Sequence, residues 1–204
     1  MPVLVPVNAD NPEPRKIRRA VEVLEAGGVI TYPTDTSYAL ACDLGSKKAI
    51  DRLYQAKGMP RTQPLAFIFA DLSHIAQYAV VEKHHYRVLR HYLPGPYCFI
   101  LSATREVPKL LLNKQKTVGI RVPNHPVPRM LAEALGRPLV STTAHKPGQA
   151  TPYVDPREIL DDFPGVELGI DGGPGGVVGT TVVDLTTSPV EVVRDGLGIL
   201  DEFI

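Results

Sequence analysis

The chain has 204 residues, 44% of them hydrophobic, and its 22 basic and 22 acidic residues give a formal net charge of zero. Single domains commonly reach about 200–250 residues, so we predict one domain spanning residues 1–204. The apolar content argues against a disordered chain, and the balanced charge argues against a globally basic nucleic-acid-binding protein. Any anion-binding site must therefore be local.

The two cysteines, Cys42 and Cys98, are far apart and form no CxxC motif. This cysteine content and spacing suit a protein of a reducing compartment. Two small buried side chains are a simpler interpretation of the cysteines than a redox pair. The N-terminus has no basic start followed by an apolar run, and no segment approaches the ~18 apolar residues of a membrane span. We therefore expect a soluble cytoplasmic protein that does not contact a membrane.

The first half of the chain alternates predicted strands and helices. Residues 3–7 read as a strand, and a helix follows between Pro14 and the pair Gly27-Gly28. Strands are predicted at residues 29–32 and 38–42, on either side of the polar segment 33–37. Ser46 is a plausible N-cap for a helix that ends at Lys57, and the next strand is residues 65–69.

The second half continues the alternation. Helices are predicted at residues 83–93 and 126–135, and a third begins at Asp155-Pro156, with Glu158 three residues after the cap. Strands are predicted at residues 97–102, 117–122, 139–142, 168–170, 181–184 and 191–193. Several strands are joined by connections too short for a parallel crossover, so the fold class is an α/β domain with a mixed sheet and flanking helices.

Polar residues cluster in loops that follow apolar strands, which is where α/β folds usually present ligand sites. The four segments are residues 32–38, 57–65, 119–126 and 141–148. In the first, the hydroxyl groups of Thr34, Thr36, Ser37 and Tyr38 surround Asp35. They form either a recognition site for a small polar substrate or an ordinary polar turn.

Three cations in the next two segments are candidates for anion binding. Lys57 and Arg61 flank a Gly-Met-Pro sequence whose backbone lets phosphate or carboxylate oxygens approach, although a solvated helix end has the same composition. Arg121 lies in an apolar strand, where a guanidinium needs an anionic partner. That partner is either a substrate anion or a carboxylate of the protein itself.

Ser141, Thr143 and His145 follow the apolar strand at residues 139–142 and offer hydroxyls and an imidazole. His145 is interpreted either as a phosphate donor or as an ordinary hydrogen-bonding loop residue. The glycine-rich residues 171–181 match no nucleotide-binding motif and read by default as a flexible connection. His84, His85 and His91 lack metal-ligand spacing, so we predict no structural metal.

Basic residues concentrate between positions 105 and 121, where a single acid, Glu106, accompanies five cations: Arg105, Lys109, Lys114, Lys116 and Arg121. Such a patch is typical of contact with the backbone of duplex RNA or tRNA, because no aromatic residues for base stacking are interleaved with it. A solvated loop has the same composition, and both interpretations remain open.

Considered together, these segments resemble the YrdC/YciO family from Gly27 to Gly196. The resemblance rests on the order and spacing of short motifs: Tyr32-Pro33-Thr34-Asp35-Thr36 with Tyr38, Lys57-Gly58 with Pro60, Pro64-Leu65, Pro94-Gly95-Pro96, Gly119-Ile120-Arg121-Val122-Pro123, Ser141-Thr142, Thr181-Val182-Val183-Asp184, and Arg194 with Gly196. The resemblance implies a twisted, open sheet with a large concave, positively charged cavity.

The synthases of this family combine L-threonine, bicarbonate and ATP, with Mg²⁺, into threonylcarbamoyl-AMP, a precursor of threonylcarbamoyladenosine in tRNA. On that model Thr34, Thr36, Tyr38 and Thr181 bind the substrate and Arg121 holds its anionic group. The nucleotide faces five residues: Lys57, Ser141, Thr143, His145 and Arg194. Lys57 and Arg61 carry catalysis, which is mainly positioning and charge stabilisation.

Three positions depart from the family pattern. Met59 replaces an arginine of a KxR motif, His145 replaces an asparagine of an SxN motif, and Cys98 replaces a threonine. These departures resemble the YciO-like branch. The sequence thus leaves three functions open: threonylcarbamoyl-AMP synthesis, binding of double-stranded RNA, tRNA or nucleotide without that chemistry through Lys109, Lys114 and Lys116, and a related adenylate-forming reaction on another substrate.

Overall fold

A computed structural model of the chain describes residues 2–149 and 151–201. Ten strands form one mixed sheet in the order β1-β8-β2-β3-β7-β4-β6-β5-β9-β10. The strands are β1 (Val3–Pro6), β2 (Val29–Tyr32), β3 (Ala39–Asp43), β4 (Ala66–Ile68), β5 (Tyr97–Ser102), β6 (Thr117–Arg121), β7 (Leu139–Thr143), β8 (Val166–Asp171), β9 (Thr181–Asp184) and β10 (Glu191–Arg194).

Six α-helices flank the sheet. They are α1 (Pro14–Glu25), α2 (Lys47–Lys57), α3 (Ile75–Tyr78), α4 (Lys83–Tyr92), α5 (Pro126–Leu135) and α6 (Pro156–Asp162), and a 3₁₀ turn covers Lys109–Leu111. The predicted α/β fold, with an open mixed sheet and flanking helices, is confirmed. None of these helices is long and apolar enough to cross a membrane.

The helices pack in two layers, one on each side of the sheet. Helices α1 and α5 cover the face of β1, β8, β2 and β3 through a cluster that contains Leu24, Ile30 and Leu131. Helices α2, α4 and α6 cover the opposite face through a larger cluster that contains Leu53, Leu89 and Ile159. Side chains alternate between the faces of a strand, so the two clusters draw on alternate residues of the same strands.

Local sequence signals determine where several helices begin and end. The Ser46 side chain accepts a hydrogen bond from the backbone N–H of Ala49 at 3.2 Å, as predicted for an N-cap. Gly58 ends α2 with φ of 66° and Gly136 ends α5 with φ of 72°. Glycine tolerates this left-handed conformation without the steric cost that a Cβ atom imposes.

The predicted elements agree with the structure except at short or marginal segments. The four-residue helix α3 and the 3₁₀ turn were not predicted, because neither is long enough to show helical periodicity. Conversely, β8 extends over six residues rather than the predicted three, and Tyr38, which was predicted to begin a strand, precedes β3.

The sheet is strongly curled. Thr36 lies in the loop before β3, and Thr180 immediately precedes β9, five strands away in the sheet. At about 4.8 Å per strand, a flat sheet would separate them by at least ~24 Å. Their hydroxyl oxygens are 3.4 Å apart, so twist and curl bring the two segments together across one concave side.

Candidate functional site

Within the described residues, part of one sheet face is covered by no helix and forms an open surface. In β5, β6 and β9, buried residues alternate with half-exposed ones over most of each strand, and β4 begins with a half-exposed residue. Ala66, Cys98 and Gly119 are among the half-exposed residues, and we call their side of the sheet the open face. A Cβ atom on Gly119 would lie 3.1 Å from the Cys98 sulfur, so the open face has a closely packed floor of small side chains.

The loop at residues 33–38 is held rigid by one threonine. The Thr34 hydroxyl donates to the carbonyl of Ser37 at 2.7 Å and accepts from the backbone N–H groups of Thr36 and Ser37. A side chain that satisfies its own backbone in this way fixes a turn. The loop therefore presents its polar groups in one conformation.

Arg121 is the last residue of β6, and its side chain hydrogen-bonds to several residues of this loop. Its Nη2 donates to the Asp35 carboxylate at 2.6 Å, to the Thr36 hydroxyl at 2.8 Å and to the Thr34 hydroxyl at 3.1 Å. The other Asp35 oxygen accepts from the backbone N–H of Asn124 at 2.8 Å. We call Thr34, Asp35, Thr36, Thr180 and Arg121 the Arg121 cluster. Of the two partners predicted for Arg121, the internal carboxylate is present.

The guanidinium nevertheless has an unused donor. The side chains of Arg121 and Asp35 are only 9% and 10% exposed, yet the Arg121 Nε is buried without a hydrogen-bond partner. A buried N–H that lacks an acceptor is costly and uncommon in folded proteins. The Asp35 bridge therefore leaves one donor of the guanidinium unpaired, so the carboxylate bridge and anion recognition are compatible.

A second arginine lies on the same side. Arg194 in β10 donates from its Nε to the Thr180 carbonyl at 2.9 Å. The charges of both Arg121 and Arg194 lower the pKa of the Cys98 thiol, although burial dominates and raises that pKa to about 11. Thr181 was predicted to bind the substrate, but its hydroxyl donates to the Gly198 carbonyl at 2.7 Å.

A chain of hydroxyl groups lies beneath the cluster. Ser141 donates to the Leu40 carbonyl at 2.9 Å, so the 2.7 Å contact between its hydroxyl and that of Tyr32 has Tyr32 as the donor. Tyr32 is fully buried, and desolvation raises its pKa to about 12. Ser141 thus has its hydrogen committed and offers only an acceptor to any ligand.

Lys57 is brought to the end of β7. Its Nζ donates to the carbonyl of Thr143 at 2.8 Å and to that of His145, and it lies 6.0 Å from the centre of the Phe163 ring. Burial lowers the Lys57 pKa to about 8. Lys57, Thr143 and His145 were all predicted as nucleotide-binding residues, and the structure places them together.

Other predicted site residues are not brought to the Arg121 cluster. Tyr38 is fully buried, and its hydroxyl donates to the Gly173 carbonyl at 2.7 Å. Arg61 is 57% exposed and pairs with Asp51 at 2.8 Å. Met59, at the position of the family's arginine, is buried in the core. In this structure Arg61 therefore does not replace the missing arginine.

The glycine-rich residues 171–181 are not a loosely held connection, and that default interpretation was wrong. A Cβ atom on Gly176 would lie 2.0 Å from the Thr36 carbonyl oxygen, and one on Gly175 would lie 2.6 Å from the Tyr38 ring. The segment packs closely against the loop of the Arg121 cluster. Gly175 and Gly176 are required by this close approach, because a side chain at either position would collide with the loop.

The basic patch predicted for RNA lies on the connection between β5 and β6. Arg105, Lys109, Lys114 and Lys116 are exposed there. No ion pair involves these four residues within the part of the chain that the structure describes. Both interpretations of the patch remain compatible with its exposure.

A cavity of about 760 Å³ lies between α5 and the segment that follows β4. Its lining includes Phe69, Tyr78, Asn124, Arg129 and Glu133, and none of the residues predicted for the site. The backbone of Asn124 connects it to Asp35. Among the described residues, no group of three or more histidine, cysteine or acidic side chains is arranged to hold a metal ion.

The comparisons with known proteins agree with this geometry. The Sua5/YciO/YrdC family model, described as telomere recombination, matches residues 22–196. The uncharacterized protein YciO of Escherichia coli K12 is 42% identical over 200 residues, which cover 97% of each chain. Threonylcarbamoyl-AMP synthase of Mus musculus is 34% identical over 206 residues, which cover 95% of this chain and 73% of that protein.

Two solved structures are also similar. The crystal structure of E. coli YciO matches with a TM-score of 0.94 at 41% identity and covers all of both chains. The structure of P. abyssi Sua5 complexed with L-threonine matches with a TM-score of 0.88 at 29% identity and covers 95% of this chain and 57% of that one. On its sequence, its fold and the arrangement of its loops, the chain belongs to the Sua5/YciO/YrdC family.

Proposed function

We propose that the open face binds ATP and L-threonine and carries out chemistry like that of the threonylcarbamoyl-AMP synthases, linked to threonylcarbamoyladenosine modification of tRNA in the cytoplasm. The observation that supports this most is the buried Arg121, whose Nε lacks a partner and whose Nη2 lies among the hydroxyls of Thr34 and Thr36. The Sua5 relative with bound L-threonine provides independent support.

The Arg121 cluster suits the anionic end of a small substrate. One N–H of a fixed guanidinium, together with the Thr36 hydroxyl, recognises a carboxylate, and burial strengthens each contact. Asp35 balances the arginine in the absence of ligand. We assign Thr34, Thr36 and Arg121 to the threonine subsite, where Arg121 binds directly and Thr34 mainly holds the loop.

The nucleotide subsite consists of Lys57, Ser141, Thr143, His145 and Arg194. Lys57 and Arg194 supply positive charge for the phosphates, whereas Ser141 meets a donor such as a ribose hydroxyl, because its own hydrogen is committed. The one carboxylate of the cluster, Asp35, is already engaged by Arg121 and Asn124. Mg²⁺ would therefore enter with ATP, held by the phosphate oxygens.

The reaction requires positioning and charge stabilisation more than proton transfer. The amine of threonine attacks the bicarbonate carbon, the C–N bond forms, and a C–O bond breaks with loss of water to give a carbamate. A carbamate oxygen then bonds to the α-phosphorus, and the bond from that phosphorus to pyrophosphate breaks. Negative charge grows on the phosphate oxygens during this step, and fixed cations such as Lys57 and Arg194 stabilise it.

A second candidate function is binding of nucleotide, tRNA or double-stranded RNA without synthesis. It is favoured by Met59, which is buried where the synthases have an arginine, and by Arg61, which is paired with Asp51. A missing charge-assisted contact to phosphate removes about 1.5–3 kcal/mol of interaction. On this reading Lys109, Lys114 and Lys116 contact the RNA backbone.

Measurement of pyrophosphate release with ATP, Mg²⁺ and bicarbonate, with and without L-threonine, separates the two. Synthesis predicts release that depends on threonine and is lost in Arg121→Lys and Lys57→Ala. Arg137→Lys is the matched control, because Arg137 also pairs with a buried carboxylate, that of Asp43, but lies outside the cluster. Absence of release, alongside RNA or ATP binding, refutes synthesis and supports the binding function.

A further inference from the structure

Helix α4 is an unusually cationic element that neither proposed site uses. Its sequence KHHYRVLRHY contains no acidic residue. Lys83, Arg87 and Arg90 are exposed and form no ion pair within the described part of the chain. At spacings of four and three residues they share one face over about 10 Å of helix axis.

This face lies on the other side of the sheet from the Arg121 cluster. Helix α4 buries Leu89 and Tyr92 in the cluster of core residues that includes Phe99. Cys98, on the floor of the open face, points to the opposite side, because neighbouring side chains of a strand alternate. A ligand on α4 would therefore not occupy the open face.

An exposed aromatic ring lies among the three cations. Tyr86 is 49% exposed and is the one exposed tyrosine or phenylalanine among residues 2–149 and 151–201; the sequence contains no tryptophan. Lys83 precedes it by three positions and Arg90 follows it by four, so both are its neighbours on the helix surface. An aromatic ring flanked by cations is the arrangement that binds unstacked nucleobases.

A cavity opens beside this ring. It measures about 320 Å³, and its lining is apolar except for Ser73: Leu72, Ile75, Ala76, Val81, Tyr86 and Leu89 complete it. A flat aromatic base suits such a space, since it buries an apolar surface and leaves its charged phosphate outside. Lys83 and Arg90 adjoin Tyr86 on the helix surface, and Tyr86 is itself part of the cavity lining.

We propose that α4 and this cavity form a binding site for an unpaired nucleotide of RNA. The base enters the cavity against Tyr86, and Lys83, Arg87 and Arg90 contact the flanking phosphates. This inference deepens the RNA-binding function, adds a base-reading surface to the backbone contacts assigned to Lys109, Lys114 and Lys116, and is independent of adenylate synthesis.

The test compares two RNAs of equal length, a hairpin with an unpaired loop and a blunt duplex, by fluorescence anisotropy. Tyr86→Ala is expected to weaken binding of the hairpin about 5- to 150-fold, as loss of one base–aromatic stack does, and to leave duplex binding unchanged. Tyr86→Phe keeps the ring and is expected to retain hairpin binding. Arg90→Gln is expected to reduce the slope of log affinity against log salt by about one.

Lys48→Gln is the matched control, because it removes an exposed cation from α2 on a different part of the surface. Thermal unfolding verifies that each variant is folded. The proposal is overturned if Tyr86→Ala binds the hairpin as wild type does, or if Lys48→Gln lowers the salt slope as much as Arg90→Gln. Failure of adenylate synthesis would appear in the pyrophosphate-release measurement and not in the affinities of the variants for the hairpin and the duplex.

Discussion

Replacement of Asp35 with asparagine is expected to destabilise the protein and, at the same time, to increase its affinity for an anion. Asparagine keeps the shape of the side chain and the acceptor for Asn124, but it removes the charge that balances Arg121. Breaking a buried ion pair by neutralising one partner costs about 3–5 kcal/mol. The hydroxyls of Thr34 and Thr36 remain bonded to Arg121, so we expect the lower value, about 3 kcal/mol.

For a domain of this length, about 3 kcal/mol corresponds to a decrease in Tm of about 6–12 °C. A bound anion would take over the role of Asp35. If it recovers about 1.4 kcal/mol of the lost pairing, the variant binds about tenfold more tightly than wild type. The ligand should then stabilise Asp35→Asn more than it stabilises the wild-type protein.

Urea and thermal unfolding with and without L-threonine or ATP measure both effects. Asp43→Asn is the matched control, because the Asp43 side chain is also buried, at 4% exposed, and accepts two hydrogen bonds from Arg137 at 2.6 Å, away from the open face. It should lose stability without any gain in ligand response. A ligand response in Asp35→Asn no larger than that of wild type would refute the assignment of Arg121 as the anion-binding residue.

Three further predictions concern neighbouring residues. Burial lowers the Lys57 pKa to about 8, whereas its ordinary value is near 10.5. Between these two pH values the unfolded chain keeps a proton that the folded chain has lost, so the free energy of unfolding of wild type relative to that of Lys57→Met should rise with pH. Urea titrations at several pH values measure this difference, and a flat difference would contradict the burial of Lys57. Tyr32→Phe removes the donor to Ser141 and should lower the free energy of unfolding by about 1–3 kcal/mol. Ser141→Ala should then cost less free energy of unfolding in the Tyr32→Phe variant than in wild type. Equal costs in this double-mutant cycle would show that the two hydroxyls are not coupled. Arg61→Gln breaks a pair in which the Arg61 side chain is 57% exposed, so we expect a loss of less than about 1 kcal/mol in urea unfolding and an unchanged ATP affinity by calorimetry. Weakened ATP binding would show that Arg61 leaves Asp51 to reach the nucleotide.

Much of the fold could be predicted because its signals are local. Ser46, Gly58 and Gly136 determine helix ends through capping and backbone conformation, and the alternation of apolar residues locates most strands. The short helix α3 has no such signal. The curl of the sheet was implied only by the family resemblance, because it depends on contacts such as that of Thr36 with Thr180, which no local pattern records.

The candidate site divides in the same way. The sequence identified Arg121 as a cation that requires an anionic partner, but two partners were possible, and only the three-dimensional arrangement brings Asp35 to it. No sequence pattern indicated that the Ser141 hydroxyl donates to the Leu40 carbonyl or that Tyr38 is part of the core. Tyr86 also went unnoticed, since neither its exposure nor the cavity beside it can be read from one helical segment.

The curl of the sheet also determines when the site can exist during folding. Its members come from positions 34–36, 121 and 180, so the site requires contacts between segments separated by about 85 and 145 residues along the chain. Contacts of such high sequence separation form late, because the entropy of closing long loops must be overcome first. A chain that has not yet paired β3, β7, β4 and β6 would therefore lack the anion site, and binding of a ligand at Arg121 would report assembly of these central strands of the sheet.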